Sequence, residues 1–104
     1  MAGAKQILDT AEGETGIIHV MSQPDLNLNK RAFLQVNISA GDTVVIESRI
    51  DPALDWVILE NGLFTSNYVT DIKMPIYLRA RRTIDGGVGD SKVWIQLLDL
   101  SRGL

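Results

Sequence analysis

Apolar and polar side chains alternate every second residue, and this limits what the chain can fold into more than any other feature. "AFLQVNIS" sets Ala32, Leu34, Val36 and Ile38 against Phe33, Gln35 and Asn37. "TVVIESRI" sets Val44, Ile46 and Ile50 against Val45, Glu47 and Arg49. Further on, Ile76, Leu78 and Ala80 oppose Tyr77, Arg79 and Arg81, and Val93, Ile95 and Leu97 oppose Lys92, Trp94 and Gln96. A period of two belongs to a strand with one buried face, whereas an amphipathic helix repeats every ~3.6 residues. No segment longer than a few residues carries the helical period. "DWVILE" is apolar on both sides, which predicts a strand covered on both faces. "LFTSNYVT" reads as a weaker strand.

The punctuation agrees with this reading. "SAGD" separates the strands that begin at 32 and 43. Asp51-Pro52 ends the second, because proline has no N–H to give to a ladder. Asn61-Gly62 predicts a hairpin turn, since both residues tolerate positive φ. "DGGVGD" at 85–90 joins the last two strands. The spacing predicts an all-β, antiparallel β-sandwich, jelly-roll or immunoglobulin-like, of about seven or eight short strands. Its expected core is Leu34, Val36, Ile38, Val44, Ile46, Ile58, Leu78, Ala80, Val93 and Ile95.

The first 31 residues differ from the rest. "QILDT" and "GIIHVM" each read as a strand, joined by "AEGE", and "SQPDLNLNK" is polar and rich in turn formers. Two arrangements are open. Residues 1–31 form an N-terminal arm or hairpin before a core at 32–100, or both segments are ordinary strands of the same sandwich. The tail at 101–104, "SRGL", is expected to fray.

A chain of 104 residues suggests one domain, large enough to hold together without disulfides or metals. It has no cysteine, which excludes a disulfide framework and a thiolate zinc site. Ten basic residues against thirteen acidic give a net charge of −3, which argues against non-specific nucleic-acid binding. The start, "MAGAKQILDTAEGETG", lacks the apolar stretch of a secretory signal. No run approaches the ~20 apolar residues that span a bilayer, so no membrane partner is expected.

Catalytic chemistry finds little footing. His19 is the one histidine, it sits between Ile18 and Val20 in an expected strand, and no G-x-S-x-G motif accompanies it. A structural role is the simpler reading. Asp51, Asp55, Glu60, Asp71, Asp85 and Asp90 could in principle supply a glycosidase pair. Most of them fall at turns, where aspartate is favoured by bonds to its own backbone. "GGVGD" brings its aspartate one residue too early for the calcium-binding nonapeptide and has no tandem copy. "NIS" at 37–39 fits the N-glycosylation pattern by chance. No catalytic residue, cofactor or metal is expected.

What remains is the outward side of the strands. Phe33, Tyr77, Arg79, Arg81 and Trp94 fall there, and these are residue types enriched at protein interfaces. The alternative is that other parts of the same chain cover them.

The order of features resembles a small β-sandwich type found in virions of tailed bacteriophages. In that type a strand V-x-I-E-x-S-x-D is followed by W-V-x-L, a loop, a strand Y-I/L-R-A-R, a Gly-rich turn and a closing strand. Here these are "VVIESRID" (44–51), "DWVILE" (55–60), "PIYLRARRT" (75–83), "DGGVGD" and "KVWIQL" (92–97). The match covers about residues 42–98, and "PAL" at 52–54 replaces the expected Gly-rich turn. The resemblance implies a non-enzymatic structural virion protein, assembled in the host cytoplasm. It would be a capsid decoration (cement) protein or a neck or tail accessory subunit. Its partners would be the major capsid protein or other virion proteins, with a homo-oligomer left open. A rival from another class is a carbohydrate-binding module, with Trp94 and Tyr77 stacking on sugar rings and Trp94 or Trp56 in an open groove.

Overall fold

The computed structural model describes residues 4–20, 31–73 and 75–98. Among them run eight strands and no helix: β1 (Lys5–Asp9), β2 (His19–Val20), β3 (Arg31–Asn37), β4 (Thr43–Arg49), β5 (Val57–Phe64), β6 (Tyr68–Lys73), β7 (Tyr77–Ile84) and β8 (Lys92–Leu98). They form two sheets, ordered β1-β8-β3-β6 and β2-β7-β4-β5, with every neighbouring pair antiparallel. The inward side chains meet between the sheets. Leu34, Val36, Val44, Ile46, Leu78, Ala80, Val93 and Ile95 are buried as their alternation predicts, and Ile38 packs half-buried against them.

Ile58 does not join this core; it is 46% exposed. The reason lies in β5. Val45 pairs with Leu63 and Glu47 with Ile58, so Ile46 alone faces residues 59–62. The extra residues bulge, and Asn61 takes a φ of 59° to accommodate them. A Cβ on Gly62 would meet Leu59 O at 2.9 Å and Ile46 O at 3.0 Å, so the bulge needs glycine there. Asn61-Gly62 is therefore a kink inside a strand and not the expected hairpin turn. The kink turns Leu59 and Phe64 toward the core. β5 is also an edge strand, so "DWVILE" is not covered on both faces: Val57 and Ile58 are exposed. The chain turns at 65–67 and crosses to the other sheet, where β6 pairs with β3.

Near the N-terminus, residues 5–20 take the arrangement of ordinary strands. β1 pairs with β8 and buries Ile7 and Leu8 in the core. β2 pairs with β7. Between them the chain passes from one sheet to the other: Ile17 N donates to Ile7 O at 2.8 Å, Gly16 N to Ala80 O at 2.9 Å, and Arg82 N to Glu14 O at 2.8 Å. The fit is close enough that a Cβ on Gly16 would lie 1.7 Å from Ile7 O. The polar stretch 22–30 and the tail 101–104 lie outside the described residues.

Arg82 follows Leu78 and Ala80 on the inward side of β7 and plugs one end of the sandwich. Its Nε donates to Glu14 Oε2 at 2.9 Å, and its Nη1 to Thr10 Oγ1 and Asp42 Oδ2, both at 3.2 Å. Its Nη2 donates to Glu14 Oε1 and to Asp85 Oδ2. All five guanidinium N–H groups are thereby occupied. Asp42 also accepts from Gly86 N and Ser91 Oγ, each at 2.7 Å. The Gly86 bond leads the Ser91 and Arg82 bonds in holding the Asp42 carboxyl below the usual range against its burial. The carboxylates in turn push the Arg82 guanidinium further toward its charged form. Every donor is matched, so the cluster locks the N-terminal segment, the β3–β4 turn and the β7–β8 loop together.

Candidate binding faces

The pairing divides the outward row in two. Phe33 on β3 and Trp94 on β8 lie on the outer face of the first sheet. Tyr77, Arg79 and Arg81 on β7 lie on the outer face of the second. The core separates the two groups, so they cannot touch one partner surface at once.

On the first face, Trp94 stands opposite Gln35 and Gln96 opposite Phe33. Aromatic and amide side chains thus alternate along each strand and across each pair, with the two aromatics on one diagonal and the two amides on the other. The same rows continue to Gln6 on β1, and to Val69 and Asp71 on β6. Ala4, Phe33, Gln35, Val69, Trp94 and Gln96 border an open groove of about 440 Å³ with Leu34 and Ile95 at its floor, and among the described residues no ionisable side chain lines it. Charge stands at the rim, where Arg31 pairs with Asp71 at 2.7 Å and where Lys73 and Lys92 share the outward side. Such a surface can stack against a flat apolar group and hydrogen-bond around it through amides.

The second face is built around a buried acid. On β4, Val45, Glu47 and Arg49 stand opposite Arg81, Arg79 and Tyr77. The Glu47 side chain is only 5% exposed. It accepts Arg79 Nε at 2.9 Å, Arg81 Nε at 3.0 Å and Arg81 Nη2 at 3.2 Å. Burial alone would raise the Glu47 pKa, but the bonds from Arg81 and Arg79 outweigh it and hold the carboxyl below its ordinary range. Glu47 likewise raises the pKa of Arg81. Val45 is buried on this outer side, apart from the central core, so the arginine stems shield a second thin layer.

Trp56 arrives from the β4–β5 connection and lies against this layer. The Arg49 guanidinium sits 4.2 Å from its ring centre and that of Arg79 4.5 Å, with Arg49 also 5.8 Å from the Tyr77 ring. Arg49 Nη1 reaches Leu54 O only at 3.5 Å. Arg49 Nε is buried without a hydrogen-bond partner among the described residues. A buried donor left unmatched costs about 1–3 kcal/mol. Glu47, Arg49 and Trp56 were not singled out as interface residues from sequence. The signal was present for the first two, because alternation puts both outward, but only the register shows that they meet the β7 arginines.

The remaining candidates have structural surroundings. His19 is half-buried in β2 opposite Leu78. Asp51 accepts from Ala53 N and Asp85 from Gly87 N, both at 2.8 Å, as turn aspartates do. Asp90 accepts from Thr10, and Asp71 pairs with Arg31. Glu60 lies within β5, and Asp55 is exposed just before it. Among the described residues no three His, Asp or Glu side chains gather to hold a metal ion. No family model matches the chain, and neither any curated protein nor any solved structure matches it.

Proposed function

We propose that this protein is a non-enzymatic structural subunit of a tailed-bacteriophage virion, a capsid decoration protein that bridges neighbouring capsomers. The observation that carries the proposal is the division of its contact-type residues over two opposed faces of one small sandwich. A bridging subunit needs two surfaces that a single neighbour cannot occupy together. A sandwich presents such surfaces on preformed strands, so little conformational freedom is lost on docking. The strand motifs at 42–98 supply the virion context, and they suit a neck or tail subunit by the same chemistry. Quantitative mass spectrometry of purified virions tests the proposal. A fixed ratio close to that of the major capsid protein supports decoration. A small fixed number per particle moves the subunit to the neck or tail. Absence from intact particles rejects the virion role.

One observation favours a second reading. Trp94 borders an open, uncharged groove beside Gln35 and Gln96, which is the chemistry of a sugar-stacking platform. Tyr77 cannot share that platform, because it stands on the other sheet, and Trp56 is engaged by Arg49 and Arg79. In a Trp56→Phe variant, Trp94 fluorescence reports on this groove alone. Saturable change on adding oligosaccharides supports a carbohydrate-binding module, and an unchanged signal across neutral and acidic glycans rejects it.

A further inference from the structure

We infer that the outer face of the second sheet docks an acidic segment of a protein partner, whose carboxylates seat on Arg79 and Arg49 beside Trp56. The inference rests on the bridging role and names the chemistry of one of the two neighbours.

Charge is the first argument. Arg49, Arg79 and Arg81 share this face with the buried Glu47 and with Glu60 at the β5 edge, three positive groups to two negative, on a chain whose net charge is −3. These are three of its six arginines. Asp51 in the adjoining loop turns its carboxylate to Ala53 N, and Asp55 forms no ion pair with these arginines among the described residues.

Unused donors are the second argument. Glu47 takes Nε of Arg79, and Nε and Nη2 of Arg81. Both Nη atoms of Arg79 and Nη1 of Arg81 have no hydrogen-bond partner among the described residues. The Arg79 guanidinium lies 4.5 Å from the Trp56 ring centre, and a guanidinium packed on a ring through its flat face keeps its in-plane N–H groups for other acceptors. The two Nη atoms form the fork that receives a carboxylate in bidentate fashion. Glu47 acts as a positioning residue: its buried carboxylate fixes two arginines before any partner arrives.

The rim supplies the third argument. Val20 pairs with Tyr77, Ile58 with Glu47 and Leu63 with Val45, so all three lie on this outer side, and all three are exposed. An occupant that mixes carboxylates with aliphatic side chains meets both parts of the face. Aromatic and arginine anchors inside such a rim have the composition of interface hot spots.

The test uses the full chain carrying Trp94→Phe, so that Trp56 alone fluoresces. The probe is a peptide of alternating glutamate and leucine, with the glutamine–leucine peptide and inorganic phosphate as comparisons. The expected result is a saturable Trp56 signal with the glutamate peptide that weakens as salt is added. The glutamine peptide and the Arg79→Gln variant should each bind at least about tenfold more weakly, a loss of about 1.4 kcal/mol. If Arg79→Gln fails to fold, Arg49→Gln carries the same comparison, because Arg49 takes no part in the Glu47 bonds. Equal binding of the two peptides, no binding at low salt, or phosphate binding as tightly as the glutamate peptide overturns the inference. A pelleting assay with virions separates the two levels. Wild type that pellets while the peptide results fail rejects the acidic partner and leaves the bridging role standing. Peptide binding by a protein that never pellets rejects the bridging role and leaves the acidic docking site standing.

Discussion

The two outer faces arise from the same alternation of side chains, yet they are built differently. On the first face Phe33, Gln35, Trp94 and Gln96 border an open groove without charge. On the second, Glu47 and Val45 are buried, and the arginines and Trp56 close over them. The difference comes from one residue type at one position. A carboxylate placed on the outward side of a central strand recruits two arginines from the neighbouring strand, and a tryptophan stacks on one of them. The arginines on that face are consequently held in place by the fold itself, while the first face presents shape and amides. An outward position in the alternation therefore does not equal an exposed one.

The comparison requires both faces to rest on one cooperative sandwich, and removing residues 1–20 gives the largest expected effect. It takes Ile7 and Leu8 from the core and Glu14 and Thr10 from Arg82. Loss of a cooperative unfolding transition in circular dichroism is expected. A truncated domain that still melts cooperatively would mean that β1 and β2 are an appendage and not part of the frame.

Next in size is the contrast between equivalent outward positions. Glu47→Ala should cost roughly 2–3 kcal/mol in urea unfolding. Breaking a buried ion pair costs ~3–5 kcal/mol, and the sum is lower here because the arginines partly reach solvent. Gln35→Ala should change stability by no more than about 0.5 kcal/mol, as surface changes do. Similar values for the two variants would erase the structural distinction between the faces.

Acid provides a smaller and graded test. The carboxyls of Glu47, Asp42 and Glu14 are all held below their ordinary range in the folded protein. Their contribution is complete above the unfolded value, about 4 for carboxylates, and is lost as pH falls through the lower folded values. The urea midpoint should fall on acidification below about pH 4, and less steeply in Glu47→Gln. A midpoint that rises on acidification would contradict the assigned ion pairs.

Much of the sandwich was legible in the sequence, because one buried face imposes a period of two that survives without any alignment. Leu34, Val36, Val44, Ile46, Leu78, Ala80, Val93 and Ile95 lie where that period puts them. Ile58 failed because a bulge shifts the phase within β5, and Asn61-Gly62 signals positive φ without saying whether a strand ends or bends there. Arg82 was hidden for a related reason. It continues the inward series of β7, but its acceptors come from segments far apart in the chain, at Thr10, Glu14 and Asp42. The division of the outward row was beyond the sequence too. Alternation gives the side of a strand, and only long-range pairing assigns that strand to a sheet.

The central claim is that the two faces are separate attachment surfaces used together. Under the proposed bridging role, its most direct measurement is the apparent dissociation constant for phage capsids that lack this protein. Three proteins are compared: wild type, a first-face variant carrying Phe33→Ala and Trp94→Ala, and a second-face variant carrying Arg49→Gln and Arg79→Gln. Two linked contacts raise avidity by ~10²–10⁴, so loss of either face should weaken retention by at least about a hundredfold. Wild-type retention of either variant would mean that one face suffices, and the bridging account would be wrong.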